Sequence, residues 1–239
     1  MEQEKFLIDQ IPVILLGKPS DKIILFVHGQ GGNKEEAVSF AETAVQRGYQ
    51  VLGIDLPNHG ERTDDKALLP WNVIPELTDI GEYLKKGWGH IALRANSIGA
   101  WFSMLAFAEY DFEKCLFVSP VLDMEQLITD MMMWAAVTEE QLQKEREIPT
   151  DFGQTLSWDY LTYTWQHPIL MWKAPTTILY AGKDNMVRRE TVDTFVKKFN
   201  AGLTVMEHGE HWFHTPEQLE VCLLYTSPSP RDTERSRMP

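Results

Sequence analysis

Cysteine is nearly missing from this sequence of 239 residues, which contains only Cys115 and Cys222. Only Cys115 lies in the part that we expect to fold, so there is no disulfide framework. Long apolar runs are missing too, since none reaches the roughly 18 residues that a membrane-spanning helix needs. The first residues, MEQEKF, are acidic and lack the apolar core of a signal peptide. We therefore expect a soluble cytoplasmic protein without a membrane-bound segment.

Basic residues are scarce, because 22 Lys and Arg stand against 35 Asp and Glu, a formal net charge of −13. A surface of this sign repels phosphate backbones, so we expect no nucleic-acid partner. The histidines and cysteines do not cluster at the spacing of metal ligands. No G-x-G-x-x-G segment is present that would indicate a nucleotide site. We therefore expect neither a metal ion nor a cofactor.

What the chain does have is an alternation of apolar strand-like runs with helix-like segments. A buried strand is typified by KIILFV, residues 22–27, which is apolar on both faces. Strands are predicted at 4–8, 11–16, 22–27, 49–54, 91–93, 115–118, 176–180 and 203–206. Helices are predicted after Asn33, at 75–86 with Pro75 in the first turn, at 98–109 and at 190–199. This alternation predicts an α/β fold with a mostly parallel sheet of about eight strands and helices on both faces.

Polar residues follow the predicted strands at their carboxyl ends, where parallel sheets collect ligands. They are His28, Asp55, Ser97, Asp123, Asp184 and His211. Their shared position carries more weight than any single motif, and it places a candidate site along one edge of the sheet.

Ser97 is the most informative of these residues. It lies in ANSIGA, residues 95–100, between a short apolar strand and a helix. Small residues at 95 and 99 allow strand and helix to approach closely, and the serine is forced toward positive φ, at about 1–3 kcal/mol. The pattern is that of a nucleophile elbow, G-x-S-x-G, with alanine in place of the first glycine. Taken alone it also fits an ordinary strand-to-helix turn.

A serine needs a base to take its proton and an acid to orient the base. In the chain order serine, acid, histidine, the candidates are Ser97, Asp184 and His211. With these residues the chain resembles the α/β-hydrolase superfamily, specifically its small bacterial esterase-like members. The resemblance covers nearly all of residues 5–221. It rests on HGQGG (28–32), DLPNHG (55–60), ANSIGA (95–100), GKD (182–184) and GEHWF (209–213).

The resemblance implies an oxyanion hole made of the backbone N–H groups of Gln30 and Ile98. It also implies that His28 supports the loop by hydrogen bonding rather than by reacting. Gly29 and Gly31 are expected to let the backbone turn close to the substrate.

Alternatives remain for two members of the proposed set. Asp123 also follows a strand, and some relatives place the acid there, but GKDN after an apolar strand favours Asp184. His208 and His214 flank His211, which is favoured because it is followed by aromatic residues. His59 and Arg62 are either pocket residues or part of a solvated loop.

Residues 124–172 interrupt the alternation and are rich in helix signals, tryptophan and methionine. Thr138 and Gln141 are spaced as a capping box. We expect a helical cap over Ser97, inserted into an α/β-hydrolase domain of residues 1–221, although its aromatic residues could simply fill the cap's own core. Residues 222–239 resemble the translation of a sequencing-library adapter, and we expect them to be a non-native, disordered tail.

The leading hypothesis is a serine hydrolase that cleaves a carboxylic ester or thioester, a small-molecule substrate, through an acyl-enzyme. A peptidase or amidase could use the same three residues. A non-catalytic binding protein on the same fold is the alternative from another class. The sequence leaves the substrate and the oligomeric state open.

Overall fold

A computed structural model describes residues 1–213 and 217–218 of the chain. The expected tail at 222–239 and the alternative base His214 lie outside these residues. The sequence also predicts a helix that begins at Thr215 and Pro216, and its start lies outside them too.

The core of the molecule is an eight-stranded sheet with the order β1-β2-β4-β3-β5-β6-β9-β10. The pairs β1–β2 and β2–β4 are antiparallel, and the remaining pairs are parallel. A separate two-stranded hairpin is formed by β7 and β8. The strands are β1 (Gln3–Ile8), β2 (Ile11–Leu16), β3 (Lys22–Val27), β4 (Gln50–Ile54), β5 (His90–Asn96), β6 (Cys115–Val118), β7 (Glu147–Pro149), β8 (Thr155–Ser157), β9 (Thr176–Ala181) and β10 (Gly202–Met206).

Seven α-helices lie within residues 1–213, and those that flank the sheet cover both of its faces. One face packs on α1, and the opposite face packs on α2, α3 and α7. The helices are α1 (Ala37–Gln46), α2 (Pro70–Gly87), α3 (Ile98–Ala106), α4 (Met124–Trp134), α5 (Glu139–Glu145), α6 (Trp158–Gln166) and α7 (Arg189–Phe199). The predicted mostly parallel sheet of eight strands with helices on both faces is thus confirmed.

The central strands are buried on both faces because every side chain meets either a helix or another core residue. All five residues of β4 are buried, as are five of the six in β3. Their apolar runs therefore give a clear strand signal, since no solvent face introduces polar residues. None of the described helices is long and apolar enough to cross a membrane.

The predicted start of α2 was wrong by five residues. The helix begins at Pro70, with Pro75 in its interior. A proline at the first helical position loses nothing, because that N–H has no partner inside a helix. Pro75 instead removes one hydrogen bond of the helix, to the carbonyl of Trp71. The helix expected at 98–109 ends earlier, at Ala106.

Between β6 and β9 the chain forms α4, α5, the β7–β8 hairpin and α6, which together occupy most of the predicted cap. The Thr138–Gln141 capping box is present at the start of α5. The hairpin was not predicted, because two strands of three residues each are too short to show an alternating pattern.

Candidate active site

The turn between β5 and α3 holds Ser97 in a strained conformation, with φ at 49° and ψ at −122°. Its N–H donates to the Val118 carbonyl at 3.0 Å, and its own carbonyl accepts from the Val121 N–H at 3.0 Å. A methyl group at Gly99 would lie 2.4 Å from the His28 carbonyl oxygen, so only glycine fits there. The turn therefore places a half-buried serine at the end of a central strand, with its backbone fixed from both sides.

Ser97, His211 and Asp184 form one hydrogen-bonded chain. The Ser97 Oγ lies 2.8 Å from His211 Nε2. On the other side of the ring, His211 Nδ1 lies 2.7 Å from Asp184 Oδ2. A carboxylate oxygen only accepts, so Nδ1 carries a proton and Nε2 is left to accept from the serine hydroxyl. In this tautomer the imidazole can take the serine proton.

The Asp184 side chain is fully buried, and its orientation is set by its own turn after β9. The backbone N–H groups of Met186 and Val187 both donate to Oδ1, each at 2.9 Å. Because Oδ1 is occupied in this way, Oδ2 is directed at His211. The structure thus brings together the three residues that the sequence singled out as nucleophile, acid and base.

The competing residues lie elsewhere or are engaged otherwise. Asp123 caps α4, where its Oδ1 accepts from the Gln126 N–H at 2.9 Å. His208 is exposed.

The loop after β3 lies directly against the elbow. A methyl group at Gly29 would be 3.1 Å from the Ser97 Cβ. The next residue, Gln30, and the first residue of α3, Ile98, carry the two N–H groups expected to bind an oxyanion. Neither N–H donates to an acceptor among the described residues. Within residues 1–213 and 217–218, these two backbone donors thus have no acceptor, and they belong to the two segments that meet at Ser97.

His28 is completely buried and joins this loop to the one after β4. Its Nδ1–H donates to the Gly29 carbonyl at 2.6 Å, and its Nε2 accepts from the Leu56 N–H at 3.0 Å. Burial lowers the pKa of His28 to about 4, so the ring is neutral at physiological pH. A neutral ring is also what the two hydrogen bonds require, because one nitrogen must accept.

His59 contacts the same loop, which the sequence did not reveal. Its Nε2 accepts from the Gly31 N–H at 2.8 Å, and its Nδ1–H donates to the Pro57 carbonyl at 2.8 Å. The imidazole rings of His28 and His59 lie side by side, with centroids 5.2 Å apart. The only sequence signal for this was a histidine in a loop at the same edge of the sheet, and that signal also fits a solvated residue.

Asp55, another of the strand-end residues, is part of the supporting structure rather than of the site. Its carboxylate accepts from the Lys34 N–H at 2.7 Å, from Lys34 Nζ at 2.8 Å and from the Glu61 N–H at 2.8 Å. The side chains of Lys34 and Asp55 are both fully buried. Burial opposes the charge of Lys34, but hydrogen bonds to Asp55, Glu35 and Glu61 outweigh it and raise the pKa of the lysine.

The insertion between β6 and β9 reaches the site at two points. At the hairpin, the Gln30 amide Nε2 donates to Gln154 Oε1 at 3.2 Å. At α4, Asp130 accepts from Arg188 Nε at 2.9 Å, and Arg188 belongs to the segment that follows Asp184. Within the insertion itself, Trp134 meets Phe152 edge-on, with centroids 6.2 Å apart. A cavity of about 210 Å³ lies between α4 and the turn that carries Asp184, and its walls include Met133, Trp134, Asp184, Met186 and Arg188. Within the described part of the chain, no group of three or more His, Cys, Asp or Glu could hold a metal ion.

Comparison with known structures identifies the same fold in esterases. Est1E from Butyrivibrio proteoclasticus superposes with a TM-score of 0.75 at 17% identity, over 99% of both chains. Its complex with ferulic acid gives a TM-score of 0.72 at 18% identity, over 93% of this chain and 96% of the other. An esterase from Pyrococcus furiosus gives 0.65 at 18% identity, over 95% and 94%. At these identities the likeness establishes the fold alone.

Comparison with curated protein sequences gave no match. The sequence model of the alpha/beta hydrolase family, however, matches residues 24–222, which is most of the chain. The match covers most of β3 with its HGQGG loop, the elbow of Ser97 and the strand ends that carry Asp184 and His211. The expected α/β-hydrolase fold is confirmed, and the chain belongs to the alpha/beta hydrolase family.

Proposed function

We propose that the protein is a serine hydrolase that cleaves small carboxylic esters or thioesters through an acyl-enzyme. Ser97 attacks the acyl carbon while His211 takes the hydroxyl proton, and His211 then gives this proton to the leaving group. Water enters, His211 takes its proton, and hydrolysis of the acyl-enzyme returns the proton to Ser97. Asp184 keeps Nδ1 protonated and stabilises the imidazolium that forms in each half-reaction.

The observation that carries this proposal is the chain of two hydrogen bonds, 2.8 Å from Ser97 to His211 and 2.7 Å from His211 to Asp184. Three side chains from three different strand ends converge in the order that nucleophilic catalysis requires. A purely structural serine would not need a histidine whose free nitrogen faces its hydroxyl.

The N–H groups of Gln30 and Ile98, which have no acceptor in the described part of the chain, support the same reaction. Attack on an acyl carbon places negative charge on the carbonyl oxygen, and fixed donors stabilise it without reorganisation. Loss of one such donor typically costs about 3 kcal/mol of transition-state stabilisation.

The substrate class rests on the surroundings of the site. We infer that the acyl group lies against Met133, Trp134 and Met186, the apolar part of the wall of the cavity beside Asp184. The same cavity is also lined by Asp130, Asn185 and Arg188. The ferulic acid bound in the Est1E complex motivates an aromatic acyl ester as one of the substrates to be tested.

The first test is covalent labelling with a fluorophosphonate, which reacts with an activated serine. We expect wild type to be labelled on Ser97 and Ser97→Ala to lose both labelling and turnover, by roughly 10⁴-fold or more. Ser119→Ala is the matched control, because Ser119 also follows a central strand and also has positive φ, at 41°. Labelling that survives in Ser97→Ala would refute the assignment of the nucleophile.

The second test assigns the other two residues and separates the enzyme classes. His211→Ala should be nearly as damaging as Ser97→Ala, because the two act as a unit. Asp184→Asn should lower kcat strongly and Asp123→Asn should not, since the Asp123 side chain caps α4. A panel of matched p-nitrophenyl esters, thioesters and p-nitroanilides distinguishes esterase from amidase activity. No turnover and no labelling in wild type would favour a binding protein instead.

A further inference from the structure

The loop after β3 is held by two histidines, one on each side of Gln30. His28 donates to the Gly29 carbonyl, and His59 accepts from the Gly31 N–H. The Gly29 carbonyl belongs to the same peptide plane as the Gln30 N–H, and the Gly31 N–H belongs to the next plane. Each of the two peptide planes that flank the Cα of Gln30 is therefore held by a histidine side chain, one by His28 and the other by His59.

We propose that His59 is a positioning residue for the oxyanion hole, acting through its bond to the Gly31 N–H. The inference rests on the proposed serine hydrolase function, and it adds a residue that the nucleophile, acid, base and oxyanion assignments do not include.

The need for such a residue follows from the composition of the loop. Three of the five residues in HGQGG are glycines. Gly31 has φ at +78°, and a methyl group added to its Cα would meet no atom within 4 Å. Glycine peptides rotate easily, so this loop would sample many orientations if left alone. An oxyanion donor contributes fully only when it is fixed before the charge develops. Misplacement by about 1 Å can lower a rate by about 100-fold.

The chemistry of His59 suits this task. The Pro57 carbonyl can only accept, so Nδ1 of His59 carries the proton and Nε2 is left as an acceptor for Gly31. Pro57 and His59 lie in the same tight turn after β4, and the neighbouring Asp55 anchors that turn through the buried Lys34. The loop after β4 thus provides a rigid support for the loop after β3.

Two substitutions separate the two hydrogen bonds of His59. His59→Asn places an amide near the position of Nδ1, which keeps the donor to Pro57 but removes the acceptor for Gly31. His59→Gln places an amide oxygen near Nε2, which restores the acceptor. His90→Asn is the matched control for replacing a histidine, because His90 begins β5, at the end of the strand opposite to Ser97.

We expect His59→Asn to lower kcat by about tenfold or more while KM changes little, because the lost interaction acts on the transition state. His59→Gln should recover most of this loss, and His90→Asn should match wild type. Affinity for a trifluoromethyl ketone, which forms an oxyanion when Ser97 adds to it, should fall in His59→Asn in parallel with kcat/KM. A merely structural role would lower the thermal midpoint without this pattern.

The outcomes distinguish the two proposals. If wild type neither turns over esters nor reacts with a fluorophosphonate, the proposed function fails. If wild type is active and a folded His59→Asn has the same kcat and ketone affinity, the positioning role alone is refuted. Should His59→Asn not fold, a folded His59→Gln that loses about 100-fold in kcat would equally overturn it, because this variant keeps the acceptor.

Discussion

Burial and hydrogen-bond geometry fix the state of each imidazole around Ser97. His28 and His59 both accept at Nε2 from a backbone N–H and donate at Nδ1 to a carbonyl. His211 has the same tautomer, but its Nδ1 faces a carboxylate and its Nε2 faces a hydroxyl. The same side chain is thus suited to support in two positions and to proton transfer in the third, depending only on its partners.

The buried His28 predicts a pH dependence of stability. Its pKa is about 4 in the folded state, lowered mainly by burial, against 6.5 for an exposed histidine. Between these values the unfolded chain takes up a proton and the folded protein does not. The stability that the neutral ring contributes is therefore complete above pH 6.5 and is lost as the pH falls toward 4. The resulting decrease in the free energy of unfolding is about 3 kcal/mol.

Denaturant unfolding of wild type and His28→Gln at about pH 7 and about pH 4 measures this change. The glutamine does not titrate, so the free energy of unfolding of wild type relative to the variant should fall by about 3 kcal/mol between the two values. A difference that stays constant with pH would mean that His28 titrates alike in the folded and unfolded chains.

At this scale, the sequence could indicate residues but not their contacts. Ser97, Asp184 and His211 could be predicted from the sequence because each follows an apolar strand and the three occur in a recognisable order. The hydrogen bond from the Gly31 N–H to His59 could not be predicted, because it joins two loops that meet only since β3 and β4 are neighbours in the sheet. Asp55 was also predicted as a candidate site residue, because it too follows a strand. Position at a strand end does not distinguish a residue that contacts substrate from one that only holds loops in place.

Among the elements, predictability followed length and burial. The strands β3 and β6 are apolar on both faces, and their boundaries were predicted correctly from these apolar runs. The start of α2 was misplaced because two prolines, at 70 and 75, compete as start signals, and the choice depends on packing that the local sequence does not contain. The hairpin of β7 and β8 is recognisable only from its pairing.

The insertion between β6 and β9 carries a prediction about selectivity. Trp134 and Trp165 are exposed to similar degrees, 48% and 41%. Trp134 forms part of the cavity next to Asp184, whereas Trp165 packs edge-on against Trp158 of its own helix, with centroids 5.5 Å apart. Trp134→Ala should therefore change the ratio of kcat/KM between aromatic or long acyl esters and acetyl esters, by about tenfold. Trp165→Ala should leave that ratio unchanged.

Both variants are measured with the same series of p-nitrophenyl esters, with a thermal melt to show that each remains folded. If the ratio is unaffected in both, the insertion acts as scaffolding and does not form the acyl pocket. An equal shift in both would point to a general loosening of the insertion rather than to contact with the substrate.

Across the whole molecule, the excess of 35 acidic over 22 basic residues produces a negative field that no single side chain determines. Fields of this kind attract substrates of opposite charge and raise their local concentration near a cleft. Their reach is set by salt, with a screening length of about 30 Å at 0.01 M and about 10 Å at 0.1 M. A cationic substrate should therefore be attracted by the net negative charge at low salt, and its kcat/KM should fall as added salt screens this attraction.

A choline ester and the 3,3-dimethylbutyl ester of the same acid isolate this effect, because they have the same shape and differ only in charge. We expect the ratio of their kcat/KM values to favour the choline ester at low salt and to fall by about tenfold as the ionic strength rises. The neutral ester controls for effects of salt on the chemistry or on the fold, since both esters use Ser97 and His211 alike. A ratio that is independent of salt would show that the net charge does not act at the site, and that only groups in direct contact with the substrate do.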